Sequence, residues 1–207
     1  MIAAFATAFT AIFVVVEPFG VAPMFASLTA GRSQDEVRRI AARASVVGAS
    51  VLVTFTLFGP QLLRALHVEL DAFRAAGGLL LLLTALDMLR GEGERCRCSK
   101  KELDQARQQD DIAVVPVAVP LLAGPGAMAT VMVLVAEGGF VQSAIVVLAI
   151  LLTFAISYGV LRAAGTLHRW TGPSVVAVVE RVLGLLLAAI ALQFMATGVL
   201  GLIGSLS

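Results

Sequence analysis

The sequence predicts an all-α polytopic membrane protein, with six transmembrane segments in a 3+3 inverted repeat and spans 1 and 4 broken at Pro and Gly. Three observations predict it. The first is composition: of 207 residues, 59% are hydrophobic and 14% charged, against roughly 25% charged in a soluble domain, and mean hydropathy is +0.95. The second is a pair of long apolar stretches, each interrupted by Pro and Gly near its middle. Met1 to Ala30 has Glu17 as its sole charge, and Ile112 to Ala136 has none. The third is a correspondence between the halves. Pro18 matches Pro125 at an offset of 107, while Gly20 and Gly126, Gly78 and Gly184, and Ala85 and Ala191 match at 106. With three spans in each half, the second copy enters the bilayer from the opposite side.

The first stretch sets the pattern. As one straight helix, 30 residues would run roughly 45 Å against about 30 Å of bilayer hydrocarbon. Pro18 removes a backbone donor and clashes with the preceding turn, and Gly20 loosens the chain further. Two half-helices then meet near the midplane with Glu17 at the break. A carboxylate is costly there, which makes Glu17 a candidate functional group. The plain alternative is a cap, its carboxylate accepting from the amides after Pro18.

Ser33 and Glu36 have capping-box spacing and start a second helix. Its apolar part, Ala44 to Leu63, is long enough to span, and Gly59-Pro60 is expected to bend or end it. Ala41, Ser45 and Ala49, with Ala44 and Gly48, form small-residue faces for close packing. A third helix is expected from near Asp71 to Arg90, with Asp87 and Arg90 paired three residues apart.

Residues 91–111 read as a charged, solvated linker between the halves 1–90 and 112–207 of a single membrane domain spanning 1–207. Ser99 to Glu102 repeats the capping spacing there. Cys96 and Cys98 read as reduced surface thiols, since no partner His or Cys completes a zinc site. The fourth span carries Pro116 and Pro120 and breaks at Gly124-Pro125-Gly126. The fifth, Phe140 to Leu161, has Ala155, Gly159 and Ala163 as a small-residue face, with Trp170 placed to anchor beyond it. The last runs from Arg181 to about Ile203 with Gln193 inside it.

Charge fixes the orientation. With the N-terminus outside, 13 of the 15 Lys and Arg residues fall on inner connectors, leaving Arg64 and Arg74 outside. The positive-inside rule then predicts that both termini lie outside.

Four blocks carry a family resemblance. They are Glu17-Pro18-Phe19-Gly20-Val21-Ala22-Pro23; Ala75-Ala76-Gly77-Gly78 with Ala85-Leu86-Asp87-Met88-Leu89; Pro120-Leu121-Leu122-Ala123-Gly124-Pro125-Gly126-Ala127; and Arg181-Val182-Leu183-Gly184-Leu185. They resemble the signature blocks of the MarC family across essentially the whole chain. The resemblance implies a bacterial or archaeal inner-membrane protein of six spans. The family is also called the neutral amino acid transporter family, a few members being described as moving small neutral amino acids. It usually shows Asp or Asn where this chain has Glu17.

The functional expectation is a secondary transporter with a midplane site between the two breaks. Proline suits the first turn of a helix, so the amides after Pro18 and Pro125 point inward from both halves, and helix N-termini attract anionic groups. Glu17, Pro18, Phe19 and Gly20 from one break and Gly124, Pro125, Gly126 and Ala127 from the other are the candidate site. Thr130 and Gln193 are weaker candidates to line it, a helix-packing hydrogen bond being the plainer role for either. A solute carboxylate would dock on one set of amides while Glu17 or nearby carbonyls hold its ammonium. The expected partners are the lipid bilayer and a small neutral solute, with a proton or sodium as coupling ion, and no nucleic acid or cofactor. The rivals are a passive channel or exporter and a non-transporting structural or regulatory subunit. No Gly-x-Ser-x-Gly or His-Glu-x-x-His occurs and both His lie near span ends, so an intramembrane enzyme is not expected.

Overall fold

A computed structural model describes residues 1–90, 117–119, 122–136, 138–170 and 173–206. The linker 91–111 with Cys96, Cys98 and the turn at Ser99, as well as Pro116, Pro120 and the side chain of Trp170, lie outside the described residues. Described in chain order are the helices α1 (Ile2–Val16), α2 (Pro18–Leu28), α3 (Gln34–Ala65), α4 (Leu70–Arg90), α5 (Pro125–Ala136), α6 (Phe140–Trp170) and α7 (Pro173–Leu206). Five helical units are long and apolar enough to cross a membrane, with α1 and α2 counted as one, and α5 is a shorter apolar helix.

The local signals act as the sequence suggests. Ser33 caps α3: its hydroxyl accepts from the Glu36 amide at 3.3 Å, while the Ser33 amide donates to Glu36 Oε2 at 2.8 Å. Beyond it, Ala41, Ala44, Ser45, Gly48 and Ala49 are all buried, and they bring α3 onto α6. A Cβ on Gly48 would lie 2.5 Å from the Phe154 ring of α6, so only glycine admits that ring.

Two expectations give way and a third is narrowed. Of the bend or end expected at Gly59-Pro60, the end does not occur, since α3 continues to Ala65. Gly59 packs on Met132 of α5, and that neighbour supports the helix through the proline. On α6, Ala155, Gly159 and Ala163 face outward, and a Cβ on Gly159 would meet nothing within 4 Å. The buried face of α6 is instead Val146, Ala149, Ile150, Thr153, Phe154, Ser157 and Leu161, because the larger groups fill the space beside α1, α2 and α3. Finally, Asp87 and Arg90 do not pair with each other; α4 instead carries an ion pair from Arg74 to Asp71, at 2.9 Å.

Packing divides into two cores. The larger joins α1, α2, α3, α5, α6 and the stretch before α5, around Ile12, Phe25, Leu52, Leu122 and Ile150. The smaller joins α1, α4 and α7 around Val14, Leu81, Met88 and Leu187. The pairing of α4 with α7 is the most extensive in the molecule and runs antiparallel. It is built on glycine at both ends. A Cβ on Gly78 would lie 2.7 Å from the Met195 amide nitrogen and 2.8 Å from the Ala191 carbonyl of α7. A Cβ on Gly184 would lie 2.9 Å from Met88 Cβ and 3.3 Å from the Ala85 carbonyl of α4. Further along, Gly198 lies against the backbone of Asp71 and Ala75, and Gly201 against the Asp71 carboxylate.

Candidate solute site

The first break is a one-residue hinge. Glu17 is left-handed at φ 49° and ψ 60°, between the last residue of α1 and Pro18 at the start of α2. Its amide donates to the Phe13 carbonyl at 3.0 Å, completing α1, and its carbonyl accepts from Val21 at 3.2 Å, opening α2. Pro18 has no amide to offer the carbonyl of Val14, so the ladder cannot continue straight. The left-handed region costs a side-chain-bearing residue roughly 1–2 kcal/mol, and such strain gathers at functional sites. Glu17 is 2% exposed, and its carboxylate packs on Gly20, where a Cβ would lie 2.5 Å from Oε1. It makes no side-chain capping hydrogen bond to α2, so capping does not account for it. Phe13 and Phe19 bracket the hinge edge-on, with ring centroids 6.1 Å apart.

The second break is wider. Residues 117–119 and 122 form a π-type turn, with the Ala123 amide donating to the Ala118 carbonyl at 2.9 Å. Gly124 then accepts from Met128 at 3.1 Å and α5 begins at Pro125. Thus α2 and α5 each open on proline, as their sequences suggest. The breaks approach one another. A Cβ on Gly126 would lie 3.8 Å from Val15, which is next but one to Glu17, and 2.7 Å from Leu81 of α4.

Above this contact lies a cavity of about 650 Å³ between α1, α4, α5 and α7. Its walls are Ala6, Ala11, Val133, Leu134, Ile190 and Phe194, and its polar groups are Thr7, Thr10, Arg74, Gln193 and Thr197. A smaller recess of about 340 Å³ shares Arg74, Val133 and Leu134 with it and reaches Gly138 and Gln142. Their lining residues lie toward the end of the bundle that carries the N-terminus, the 66–69 turn and residues 138–139. Of the sequence-selected residues, Gln193 alone lines the large cavity. Glu17 and Pro18 are buried below it, Ala11 and Glu17 being separated by roughly 9 Å of helix, whereas Gly20 is half-buried and Phe19 is exposed. At the start of α5, Ala127 is buried and Gly124 and Gly126 half-buried, while Pro125 is exposed and does not line an interior site. Thr130 is fully buried and its hydroxyl donates to the Gly126 carbonyl at 2.8 Å, which makes it a brace for the start of α5.

Thr7, Thr10, Arg74 and Thr197 were not selectable by motif, but spacing marks them. Thr7 and Thr10 share one face of α1, as Gln193 and Thr197 share one face of α7. Arg74 stands inside an apolar helix against the positive-inside bias.

Apolar helical units of spanning length, with two short apolar helices that open on proline at a break, define a polytopic integral membrane protein. The chain belongs to the MarC family of integral membrane proteins, whose description matches residues 2–203. It is 39% identical over 198 residues to a UPF0056 membrane protein of Methanocaldococcus jannaschii, covering 95% of this chain and 96% of that one. It is 34% identical over 200 residues to a UPF0056 membrane protein of Aquifex aeolicus, covering 96% and 94%. With the UPF0056 membrane protein YhcE of Escherichia coli the identity is 29% over 195 residues, covering 94% and 91%. No solved structure matches the chain.

Proposed function

We propose that the chain is a secondary transporter of small neutral solutes, amino acids first among them, working across the bacterial inner membrane by alternating access rather than by enzymatic chemistry. The observation that carries this reading is the 650 Å³ cavity, which is bounded by helices of both halves. The two breaks touch where Gly126 lies against Leu81 and Val15, beyond the cavity lining. Rocking one half against the other would open that contact and shut the mouth.

The packing supports six spans in a 3+3 inverted repeat. At an offset of 106, Gly78 corresponds to Gly184 and Ala85 to Ala191. Gly78 packs on Ala191 while Gly184 packs on Ala85, so the contact is reciprocal, as a two-fold rotation between the halves requires. Gly48 and Phe154 correspond at the same offset and touch each other, as residues beside a two-fold axis do. The pairing of α1 and α2 with α6 is likewise mirrored by that of α5 with α3.

Uptake by proteoliposomes is the direct test. A carrier accumulates solute against its gradient and loses that accumulation when an uncoupler is added. Uncoupler-insensitive equilibration would assign a passive channel, and no solute movement a structural role.

Orientation follows from the basic residues, of which 13 of 15 lie on the connectors opposite the termini. Cys96 and Cys98 are then cytoplasmic. A membrane-impermeant maleimide should leave both unmodified in whole cells and label them after permeabilisation. Rapid labelling in intact cells would reverse the topology.

A further inference from the structure

Arg74 is the cation of this cavity. It lines both the 650 Å³ chamber and the 340 Å³ recess, so it stands between them. Its side chain is 14% exposed and contacts Asp71 Oδ1 through Nη1 at 2.9 Å. An i,i+3 pair on a helix surface is ordinarily worth a few tenths of a kcal/mol, less than the cost of holding a guanidinium only 14% exposed inside a membrane protein, while its partner Asp71 stays 32% exposed beside the cavity wall. A bridge for stability alone would therefore be a poor use of the site. Arg74 is also one of two basic residues on the terminal face, where the orientation bias disfavours them.

Resting on the transport reading, we propose that Arg74 and Asp71 are the recognition pair of this cavity, and that its ligand is a small zwitterion carrying both a carboxylate and an ammonium. A guanidinium presents a planar fork that matches a carboxylate in two parallel hydrogen bonds. The incoming carboxylate takes Arg74 and the ammonium takes Asp71, so the resting ion pair is exchanged for two crossed ones. A ligand with only one of the two groups can form only one of the two crossed pairs. Gln193, Thr7 and Thr10 supply hydrogen bonds beside the pair, and the apolar walls receive a short side chain. The Asp71 carboxylate lies on Gly201 of α7, so both halves of the repeat hold the recognition pair.

The test uses full-length protein in liposomes with radiolabelled L-alanine as probe, competed by alaninamide, ethylamine and propionate. In the wild type each competitor should bind about a hundredfold more weakly than L-alanine, because each can form only one of the two crossed pairs. Arg74→Gln should weaken L-alanine about a hundredfold and abolish the preference for L-alanine over alaninamide, while Arg74→Lys keeps the charge and recovers part of both. Competition by alaninamide or ethylamine equal to that of L-alanine in the wild type overturns the proposal without any variant. So does an Arg74→Gln protein that retains the preference. If uncharged solutes such as glycerol are accumulated and Arg74→Gln does not alter this, transport stands and the recognition pair falls. If neither binding nor transport of any solute occurs, both fall.

Discussion

Gly78→Val is expected to detach α4 from α7 and to cost at least about 3 kcal/mol, at the upper end of what overpacking does. The reason is what its side chain would meet. The nearest atoms include the Met195 amide nitrogen at 2.7 Å and the Ala191 carbonyl at 2.8 Å, and backbone atoms in a helix cannot rotate aside as a side chain can. The interface itself must open, and it is the most extensive in the molecule. Thermal unfolding in detergent should show a Tm lowered by about 10 °C. Gly184→Val should cost less, because its nearest backbone atom is at 3.3 Å and Met88 can yield part of the space. Gly159→Ala should be neutral or slightly stabilising, since its Cβ meets nothing within 4 Å and alanine is the better helix former. A Gly78→Val protein with the Tm of the wild type would mean that α4 and α7 do not pack as described.

That contrast among glycines marks where the sequence could be read and where it could not. Gly78 and Gly184 stand out because they correspond at an offset of 106, whereas nothing in the local pattern separates Gly159 from them. On α6, Ala155, Gly159 and Ala163 have the spacing of a packing face and yet point outward. In a bilayer both faces of a helix are apolar, so periodicity no longer reports which one is buried. Breaks are more legible, because proline acts on its own backbone whatever surrounds it: α1 ends before Glu17 and α5 begins at Pro125, as the motifs imply. Pro60 is the exception, and Met132 from a helix more than sixty residues away in sequence supports it. The cavity was the least legible feature. Thr7, Thr10, Arg74, Gln193 and Thr197 come from α1, α4 and α7, and only the folded chain brings those helices together.

Glu17→Gly is expected to leave the protein as stable as before or up to about 1 kcal/mol more so, while uptake falls at least about tenfold. Two magnitudes decide the first part. Glu17 sits at φ 49° and ψ 60°, where a side chain costs roughly 1–2 kcal/mol, and glycine removes that cost while losing about 0.5–1 kcal/mol more backbone entropy on folding. The proline that follows disfavours this helical geometry further. A position that glycine would suit but a buried carboxylate occupies is held for what the carboxylate does. Glu17→Gln separates two such roles. If the carboxylate takes up and releases a proton as the site opens to each side, Gln abolishes pH-driven accumulation but spares solute exchange across the membrane; if it only orients bound solute, both fall together. Gly20→Ala supplies an independent check, because its methyl would lie 2.5 Å from Glu17 Oε1 and must displace the carboxylate without removing it. It should reproduce the transport defect of Glu17→Gly with the charge still present. Wild-type pH-driven uptake in Glu17→Gly and Glu17→Gln alike, measured in proteoliposomes at matched protein density, would reduce Glu17 to a turn residue and leave the cavity around Arg74 and Gln193 as the only part of the path with a chemical role.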